Sequence, residues 1–249
     1  MTDPATVSRS DVDGVLLDAD DTLYDTRSAM HAAGATAAAA LWPDADPERV
    51  RRAGERFRDD PGGHFHAYAR GELEFGAMRR ARVADLARWL GQPVDDGLWG
   101  AFEAVYEPAF LAAMASFDDV RPAVTALRAS GLAVGVLTNS SGTYTDLKMR
   151  ASGLEGLFEV VCTRDTLGFG KPDPRAFREA CRRLATPPGR TLYVGDDLET
   201  DPLAAVDAGM PAAWLVRGGT PDPDAVRRAG ERGVPAVASL ADVVALPRG

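Results

Sequence analysis

Short apolar runs that end abruptly in polar clusters are the feature of this 249-residue chain that most constrains its fold. The first run, Val15–Leu17, leads at once into Asp18-Ala19-Asp20-Asp21-Thr22. Such a run predicts a buried strand followed by a loop, and the pattern returns at 132–137, 158–162, 192–194 and 212–216. Helical patterns lie between the later runs, at 120–129, 144–151, 174–184 and 203–208. The alternation predicts an α/β fold, a parallel sheet with helices on both faces.

A long helical segment, 25–117, interrupts this alternation. Apolar residues in its second half recur near one face of a helix, at Phe75, Met78, Val83, Leu86 and Leu90. We therefore predict an all-helical cap domain of residues 25–117, inserted into an α/β core domain of residues 1–24 and 118–249.

Charge and composition exclude several classes of partner. The chain has 37 acidic and 28 basic residues and a formal charge of −9, which argues against binding to nucleic acid polymers or anionic membranes. No segment approaches the roughly 20 apolar residues that cross a bilayer. Residues 1–13 lack a secretory pattern, and Cys162 and Cys181 lie too far apart for a Cys-x-x-Cys pair. We expect a cytoplasmic protein with free thiols; the sequence gives no signal for its oligomeric state.

Four aspartates follow predicted strands and should meet at one edge of the sheet, because ligand crevices lie beyond the carboxyl ends of parallel strands. They are Asp18, Asp20, Asp196 and Asp201. Against a single nearby Lys171 their net charge is about −3, and like charges ~4 Å apart repel by roughly 4 kcal/mol at an effective dielectric of 20. Such a cluster needs a cation, and hard oxygen ligands favour Mg²⁺ over zinc.

Lys171 stands out because it and Lys148 are the only lysines, whereas the other 26 basic residues are arginine. A compact ammonium can neutralise a phosphate or an aspartate as a point charge. Thr138 and Asn139 end another predicted strand, where a hydroxyl and amides could donate hydrogen bonds to phosphoryl oxygens.

These motifs resemble those of the haloacid dehalogenase superfamily of phosphatases that carry a helical C1-type cap. Four match in order, each after a predicted strand: Asp18-Ala19-Asp20-Asp21-Thr22, Thr138-Asn139-Ser140, Lys171-Pro172 and Gly195-Asp196-Asp197-Leu198-Glu199-Thr200-Asp201. The resemblance implies a Rossmann-like core and is greatest to the pyrimidine 5′-nucleotidase-like and N-acylneuraminate-9-phosphatase-like branches. It therefore implies a Mg²⁺-dependent phosphatase that acts on a small soluble phosphomonoester, a nucleotide or sugar phosphate.

The resemblance also implies a role for each residue. Asp18 would attack phosphorus and form an aspartyl-phosphate, while Asp20 would protonate the leaving oxygen and then activate water. Asp18, Asp196 and the Asp20 carbonyl would ligate magnesium, and Asp201 would support the metal waters or Lys171. The transferring group would be held by Thr138, Asn139 and Lys171.

Two departures from the family pattern concern conformation. Asp21 stands where many members have glycine, and we expect it to face a turn or cap a helix. Arg164 replaces a small residue that is common before the third motif.

Candidate roles in the predicted cap stay open. Arg82 lies four residues from both Met78 and Leu86, so it shares their apolar face and could face the crevice as a specificity residue. Alternatively its stem packs and its head reaches solvent or a carboxylate such as Glu103. His64 and His66 could bind metal or substrate, although two ligands without a third partner are more often loop residues.

Three other functions fit the same fold. A haloacid dehalogenase shares the Asp nucleophile but needs neither metal nor an acid for the leaving group, so Asp20 and Asp196 argue against it. A phosphomutase would retain the phosphoryl group. A catalytically silent metabolite-binding protein would bind ligands without turnover.

Overall fold

Six strands form one parallel sheet within residues 12–246, the part of the chain that the computed structural model describes. They are β1 (Gly14–Leu17), β2 (Ala133–Thr138), β3 (Val161–Thr163), β4 (Thr191–Gly195), β5 (Ala212–Leu215) and β6 (Ala236–Val237). Their order across the sheet is β3-β2-β1-β4-β5-β6. The strand order changes direction at β1: β2 and β3 follow on one side of it, and β4, β5 and β6 on the other. Open α/β sheets bind ligands at such a switch point.

The central strands end level with one another. Leu17, the last residue of β1, pairs in register with Val136 of β2 and Val194 of β4. Every residue of β1 and β4 is buried, as expected for parallel strands covered on both faces. The polar segments that follow these three strands therefore start from one edge of the sheet.

Seven α-helices accompany the sheet in the described residues. They are α6 (Val120–Ala129), α7 (Gly142–Ala151), α8 (Arg164–Leu167), α9 (Pro174–Leu184), α10 (Ala204–Asp207), α11 (Pro223–Glu231) and α12 (Leu240–Ala245). Helix α9 shows why they form. Asp173 accepts a hydrogen bond from the Arg175 amide and Pro174 occupies the first turn, which starts the helix. Its buried residues recur at helical spacing and join the core: Ala176, Phe177, Ala180, Cys181 and Leu184.

Residues Asp25–Ala115 form a second compact unit. Its helices are α1 (Thr26–Leu41), α2 (Pro47–Asp59), α3 (His64–Ala69), α4 (Phe75–Trp89) and α5 (Leu98–Ala113). An aromatic cluster packs inside it, in which Phe102 and Tyr106 of α5 lie 5.3 and 5.1 Å from the Phe57 ring of α2. Ring centroids at this separation contribute about 0.5–1.5 kcal/mol beyond area burial.

The α/β fold with its parallel sheet is confirmed, with some elements shifted or missed. The run at 158–162 predicted a strand, and β3 begins only at Val161. The expected helix at 144–151 begins two residues earlier, because Ser141 caps it and the Asp165 carboxylate accepts a hydrogen bond from the Gly142 amide. Strand β6 and helices α8, α11 and α12 were not predicted. At two residues, β6 is too short to show a period.

Two expectations from composition concern structure directly. Cys162 and Cys181 are both free and buried, as predicted. None of the helices in residues 12–246 has the length and hydropathy that crossing a membrane requires. The N-terminal segment on which the cytoplasmic prediction partly depends lies almost wholly outside the described residues.

Candidate active site

The loop after β1 brings Asp18 and Asp20 to the edge of the sheet. The Asp18 amide donates to the Val194 carbonyl at 2.8 Å, so the strand pairing continues one residue past β1, and the Asp18 side chain is buried. Beyond it the chain turns back, with the Leu23 amide on the Ala19 carbonyl at 2.8 Å. Asp21 lies in this turn at a φ of 56°, in the left-handed region where glycine is favoured. The turn expected for Asp21 is therefore present.

Asn139 holds the backbone on which Lys171 stands. Its Oδ1 accepts from the Lys171 amide at 2.7 Å and its Nδ2 donates to the Lys171 carbonyl at 2.9 Å. The loops after β2 and β3 are thereby joined at one residue. Sequence reasoning placed Asn139 on the phosphoryl group, whereas the structure places its side-chain amide on the lysine backbone.

The Lys171 ammonium lies between two buried carboxylates. Its Nζ is 2.5 Å from Asp18 Oδ1, 2.5 Å from Asp201 Oδ1 and 2.9 Å from the Tyr193 hydroxyl. Burial by itself would lower the pKa of Lys171, but the charges of Asp18 and Asp201 hold that pKa well above its ordinary value. Lys171 is therefore a permanent cation that orients Asp18.

The Asp201 carboxylate already accepts three hydrogen bonds. Besides Lys171, its Oδ1 accepts from the Tyr193 hydroxyl at 3.0 Å, and its Oδ2 accepts from the Asp197 amide at 3.1 Å. Gly195 permits this approach, because a Cβ there would collide with the Asp201 carboxylate. Asp201 therefore supports Lys171, one of the two roles expected for it.

Asp196 presents the opposite case, a largely buried carboxylate to which no residue in 12–246 donates a hydrogen bond. Trp214 Nε1 donates to its backbone carbonyl at 2.8 Å and fixes the residue in place. Burial and the neighbouring Asp18 and Asp201 raise the pKa of Asp196 to about 9. Burial, only partly offset by Lys171, raises the pKa of Asp18 to about 7. Lys171 compensates the charge of Asp18 only in part, and no cationic side chain contacts Asp196 in the described residues.

A divalent cation would supply the remaining positive charge. One carboxylate oxygen from each of Asp18, Asp196 and Asp201 lies within 4.8 Å of the others, the only such group of three among the described residues. Because three donors already hold the Asp201 carboxylate, whereas Asp196 has none in the described part of the chain, Asp18 and Asp196 are the side chains that best fit a metal. Oxygen ligands without Cys or His suit a hard cation.

Asp20 has a partner that sequence reasoning missed. Its two carboxylate oxygens accept from Lys148 Nζ of α7 at 2.6 and 2.8 Å. Lys148 is buried, whereas the Asp20 side chain is 32% exposed. The rarity of lysine, which drew attention to Lys171, applied equally to Lys148. Both lysines of the chain thus pair with an aspartate of the first motif.

Thr138 ends β2 and is buried, and its hydroxyl accepts from the Ser140 amide at 3.1 Å. It shapes the turn after β2, next to the residues that hold Lys171. Tyr193 and Trp214 are two further residues that the motifs did not indicate. Each lies inside a buried strand, so its pattern is that of core packing.

Arg82 lies inside the helical unit, 8% exposed. Its guanidinium donates to the Phe57 carbonyl, lies 4.6 Å from the Phe57 ring centroid and is 3.8 Å from Asp60 Oδ1. Its head therefore does not reach Glu103, which Arg79 contacts at 2.7 Å instead. These contacts lie within the helical unit, although Arg82 Nε has no hydrogen-bond partner among residues 12–246, and the role of Arg82 in specificity stays a prediction.

The histidine motif of the helical unit is split between two environments. His64 Nε2 lies 2.9 Å from Asp85 Oδ2, and His66 is exposed. In residues 12–246 neither belongs to a group of three potential metal ligands.

Comparison with known proteins shows which family and which proteins this chain resembles. The family model of haloacid dehalogenase-like hydrolases matches residues 12–209. A glyceraldehyde 3-phosphate phosphatase from Methanopyrus kandleri is 28% identical over 212 residues, 83% of this chain and 85% of that protein. Other curated phosphatases, including a pyrimidine 5′-nucleotidase from Escherichia coli, match over about half of their own length.

Two solved structures share the fold across nearly the whole chain. The HAD-hydrolase YfnB from Bacillus subtilis, bound to magnesium, has a TM-score of 0.72 at 20% identity, covering 93% of this chain and 96% of that one. An L-2-haloacid dehalogenase from Xanthobacter autotrophicus has a TM-score of 0.69 at 20% identity, covering 96% and 99%. At this identity the likeness concerns the fold alone. The family match spans most of the sequence and all four motifs, and the chain therefore belongs to the haloacid dehalogenase-like hydrolases.

Proposed function

We propose that this hydrolase is a Mg²⁺-dependent phosphatase that acts on small phosphate esters through an aspartyl-phosphate on Asp18. The observation that carries the proposal is the buried contact of Asp18 with Lys171 beside the donor-free carboxylate of Asp196. A nucleophile held by a fixed ammonium, next to a carboxylate that needs a cation, matches the requirements of phosphoryl transfer.

Asp18 performs the displacement. Lys171 holds the Asp18 carboxylate through Oδ1. Asp18 attacks phosphorus, the bond from phosphorus to the leaving oxygen breaks, and water later cleaves the acyl phosphate. Splitting one displacement into two gives each step a better nucleophile or leaving group.

Lys171 and the loop after β2 provide the binding side. The Lys171 ammonium is a positive charge next to the attacking carboxylate of Asp18. Thr138 and the backbone amides that follow it lie at the same edge of the sheet and would donate hydrogen bonds to the phosphoryl oxygens. A prepositioned cation and donors stabilise the charge on the three equatorial oxygens of the transferring group. Asn139 contributes by holding Lys171 in place.

Asp20 is the proton donor to the leaving oxygen and then the base for water. Its side chain is more exposed than that of Asp18, as expected of a group that must reach a leaving group and water. Its side chain leaves the loop two residues after the nucleophile, which lets both act on one substrate.

Magnesium fits Asp18 and Asp196, with the Asp20 carbonyl as the third protein ligand. Bound there, it would neutralise the phosphoryl oxygens and align them with Asp18. The raised pKa values of both carboxylates indicate that the protein alone does not compensate their charge.

The substrate class follows from the relatives. Glyceraldehyde 3-phosphate phosphatase and pyrimidine 5′-nucleotidase both act on esters of small metabolites, so we propose a nucleotide or sugar phosphate as substrate. Membranes and nucleic acid polymers are not among the proposed partners. A cytoplasmic location and a capping role for residues 25–117 remain predictions.

The second candidate is a haloacid dehalogenase, since dehalogenases such as the Xanthobacter enzyme share this fold. Asp20 and Asp196 argue against it, because that reaction needs neither an acid nor a metal. A phosphomutase would release little inorganic phosphate, and a silent binding protein would turn over nothing.

Phosphate release from a panel of nucleotide and sugar phosphates tests the proposal. The panel is run with Mg²⁺ or with chelator, for wild type, Asp18→Asn and the surface control Asp224→Asn. We expect release that requires Mg²⁺ and Asp18 and is unchanged in the control. Halide release from 2-haloacids without metal would instead identify a dehalogenase, and turnover insensitive to both chelator and Asp18→Asn would reject the mechanism.

A further inference from the structure

We propose that Lys148 is a positioning residue that holds the Asp20 carboxylate for proton transfer to the leaving group. The proposal rests on the phosphatase function above and extends it to a residue outside the four motifs. Lys148 belongs to α7, and 128 residues separate it from Asp20 along the chain.

The contact involves both carboxylate oxygens. Lys148 Nζ lies 2.6 Å from Asp20 Oδ1 and 2.8 Å from Asp20 Oδ2, so the ammonium is within hydrogen-bond distance of both oxygens of one carboxylate. A donor shared between both oxygens restricts rotation of the carboxylate about its last torsion as well as its position. Proton transfer depends on such placement, because the acid must lie within hydrogen-bond reach of the leaving oxygen.

Burial distinguishes this pair from surface ion pairs. The Lys148 side chain is 4% exposed, whereas Arg150 and Glu155, a pair that also begins on α7, are 64% and 62% exposed. Exposed pairs contribute little to stability, while a buried ammonium costs free energy unless it is paired. The Lys148 ammonium also lies 5.4 Å from the centroid of the buried Tyr24 ring, and Asp20 is the charged group that it contacts in the described residues.

The difference in exposure between the two side chains indicates that Lys148 positions Asp20 and does not itself meet the substrate. The lysine is withdrawn from solvent and the aspartate keeps 32% of its side chain exposed. A lysine that bound the substrate phosphate would expose its ammonium to the solvent-accessible side of the site. Here the ammonium points to the carboxylate, and the carboxylate is the group that remains accessible.

The test compares leaving groups in Lys148→Met, with Arg150→Met as the control on the same helix. An alkyl phosphate, such as the best sugar phosphate of the panel, needs a proton on its leaving oxygen, whereas 4-nitrophenyl phosphate departs without one. For Lys148→Met we expect kcat/KM to fall about tenfold or more on the alkyl ester, since a well-placed acid contributes about 10²–10⁴. On 4-nitrophenyl phosphate kcat/KM should change by less than about threefold, and Arg150→Met should match wild type on both esters.

A double-mutant cycle tests whether Lys148 acts through Asp20. With the acid removed, Lys148 has nothing to place, so Lys148→Met in an Asp20→Asn background should not lower kcat/KM on the alkyl ester further. Equal losses on both esters, or losses that multiply in the double variant, would overturn the proposal. An increase in KM on both esters, which direct contact with the phosphoryl group would produce, would overturn it as well.

Lys148→Gln keeps the test decisive if the methionine variant does not fold. An amide can donate to one Asp20 oxygen, so we expect a smaller loss with the same dependence on the leaving group, and a loss without that dependence would count against positioning. The underlying function fails in a different way, through wild type that releases no phosphate or through Asp18→Asn that remains active.

Discussion

The Lys171 ammonium lies 2.5 Å from Asp18 Oδ1 and 2.5 Å from Asp201 Oδ1, so one buried cation is shared by two buried carboxylates. Asp201 is held by further donors and stays in place, which fixes the lysine and through it Asp18. Asp196 remains without a compensating donor. The site is thus assembled for two positive charges, and its own residues provide one.

Removal of the shared cation should cost both stability and activity. In Lys171→Met, Asp18 and Asp201 would lose their common partner in a buried site, and breaking a buried pair costs about 3–5 kcal/mol. We expect a loss of this size in the free energy of unfolding, measured with urea in the presence of chelator, together with loss of phosphate release. Arg182→Met, which removes an exposed pair with Glu179, should leave both unchanged. A Lys171→Met protein of wild-type stability would contradict the shared-cation arrangement.

Two buried tyrosines provide a matched comparison. The Tyr193 hydroxyl lies 2.9 Å from Lys171 Nζ and 3.0 Å from Asp201 Oδ1, whereas the buried Tyr24 hydroxyl has no hydrogen-bond partner within residues 12–246. Tyr193→Phe should lower the free energy of unfolding by about 1–3 kcal/mol, because it leaves charged partners unsatisfied. Tyr24→Phe should be neutral or stabilising. Urea denaturation of both variants measures the difference, and equal effects would show that the Tyr193 hydroxyl does not support the site.

Stability without metal should fall as the pH rises. Burial raises the pKa of Asp18 to about 7 and that of Asp196 to about 9, from an ordinary 3.8. Between the ordinary and the raised values the folded chain binds more protons than the unfolded chain, so the free energy of unfolding decreases with pH. We expect the melting temperature in chelator to decline between about pH 5 and 9.

Magnesium should reverse this decline, because it binds the ionised carboxylates of the folded chain. The stabilisation by Mg²⁺ should therefore grow with pH, and Asp196→Asn should both flatten the profile in chelator and abolish the effect of Mg²⁺. Asp224→Asn, a change at an exposed position, should preserve both. A Mg²⁺ effect that survives in Asp196→Asn would contradict the assignment of Asp196 as a ligand.

Substitution of Arg82 tests whether this residue of the helical unit contacts the substrate. Since its guanidinium is buried on Phe57 and near Asp60, Arg82→Met should destabilise the protein by about 1–3 kcal/mol. Thermal unfolding and KM across the ester panel separate the two roles, with exposed Arg80→Met on the same helix as the control. A selective rise in KM at unchanged stability would identify Arg82 as a specificity residue.

The parts of the site that the sequence predicts are those that follow strands. Asp18 and Asp196 directly follow short apolar runs, and Lys171 lies in the loop after β3 and α8. Parallel strands bring such loops to one edge of the sheet. Periodicity and order are enough to place them. The same reasoning finds the sheet but not β6, since two residues carry no period.

Residues that hold the site from within helices or strands escape this reasoning. A lysine in a helix, such as Lys148, is normally predicted to face solvent. Tyr193 and Trp214 lie in apolar strands, where an aromatic residue is normally predicted to pack in the core. Their partners, Asp20, Lys171 and the Asp196 carbonyl, lie 18 to 128 residues away in sequence. Such contacts depend on how helices pack on the sheet, which local patterns do not specify. The contact of the Asn139 side chain with the Lys171 backbone spans 32 residues of sequence and is likewise not specified by local patterns. The sequence therefore suggested only a phosphoryl contact for Asn139.

The claim that Asp18 carries the phosphoryl group is tested most directly by trapping it during turnover. The enzyme is mixed with its best phosphate ester and Mg²⁺, quenched in acid within a turnover and digested, and the peptides are examined by mass spectrometry. We expect a phosphoryl group on Asp18 that hydroxylamine removes and that is absent from Asp18→Asn and from chelated samples. Steady phosphate release with no label on Asp18 at any quench time would contradict the aspartyl-phosphate mechanism.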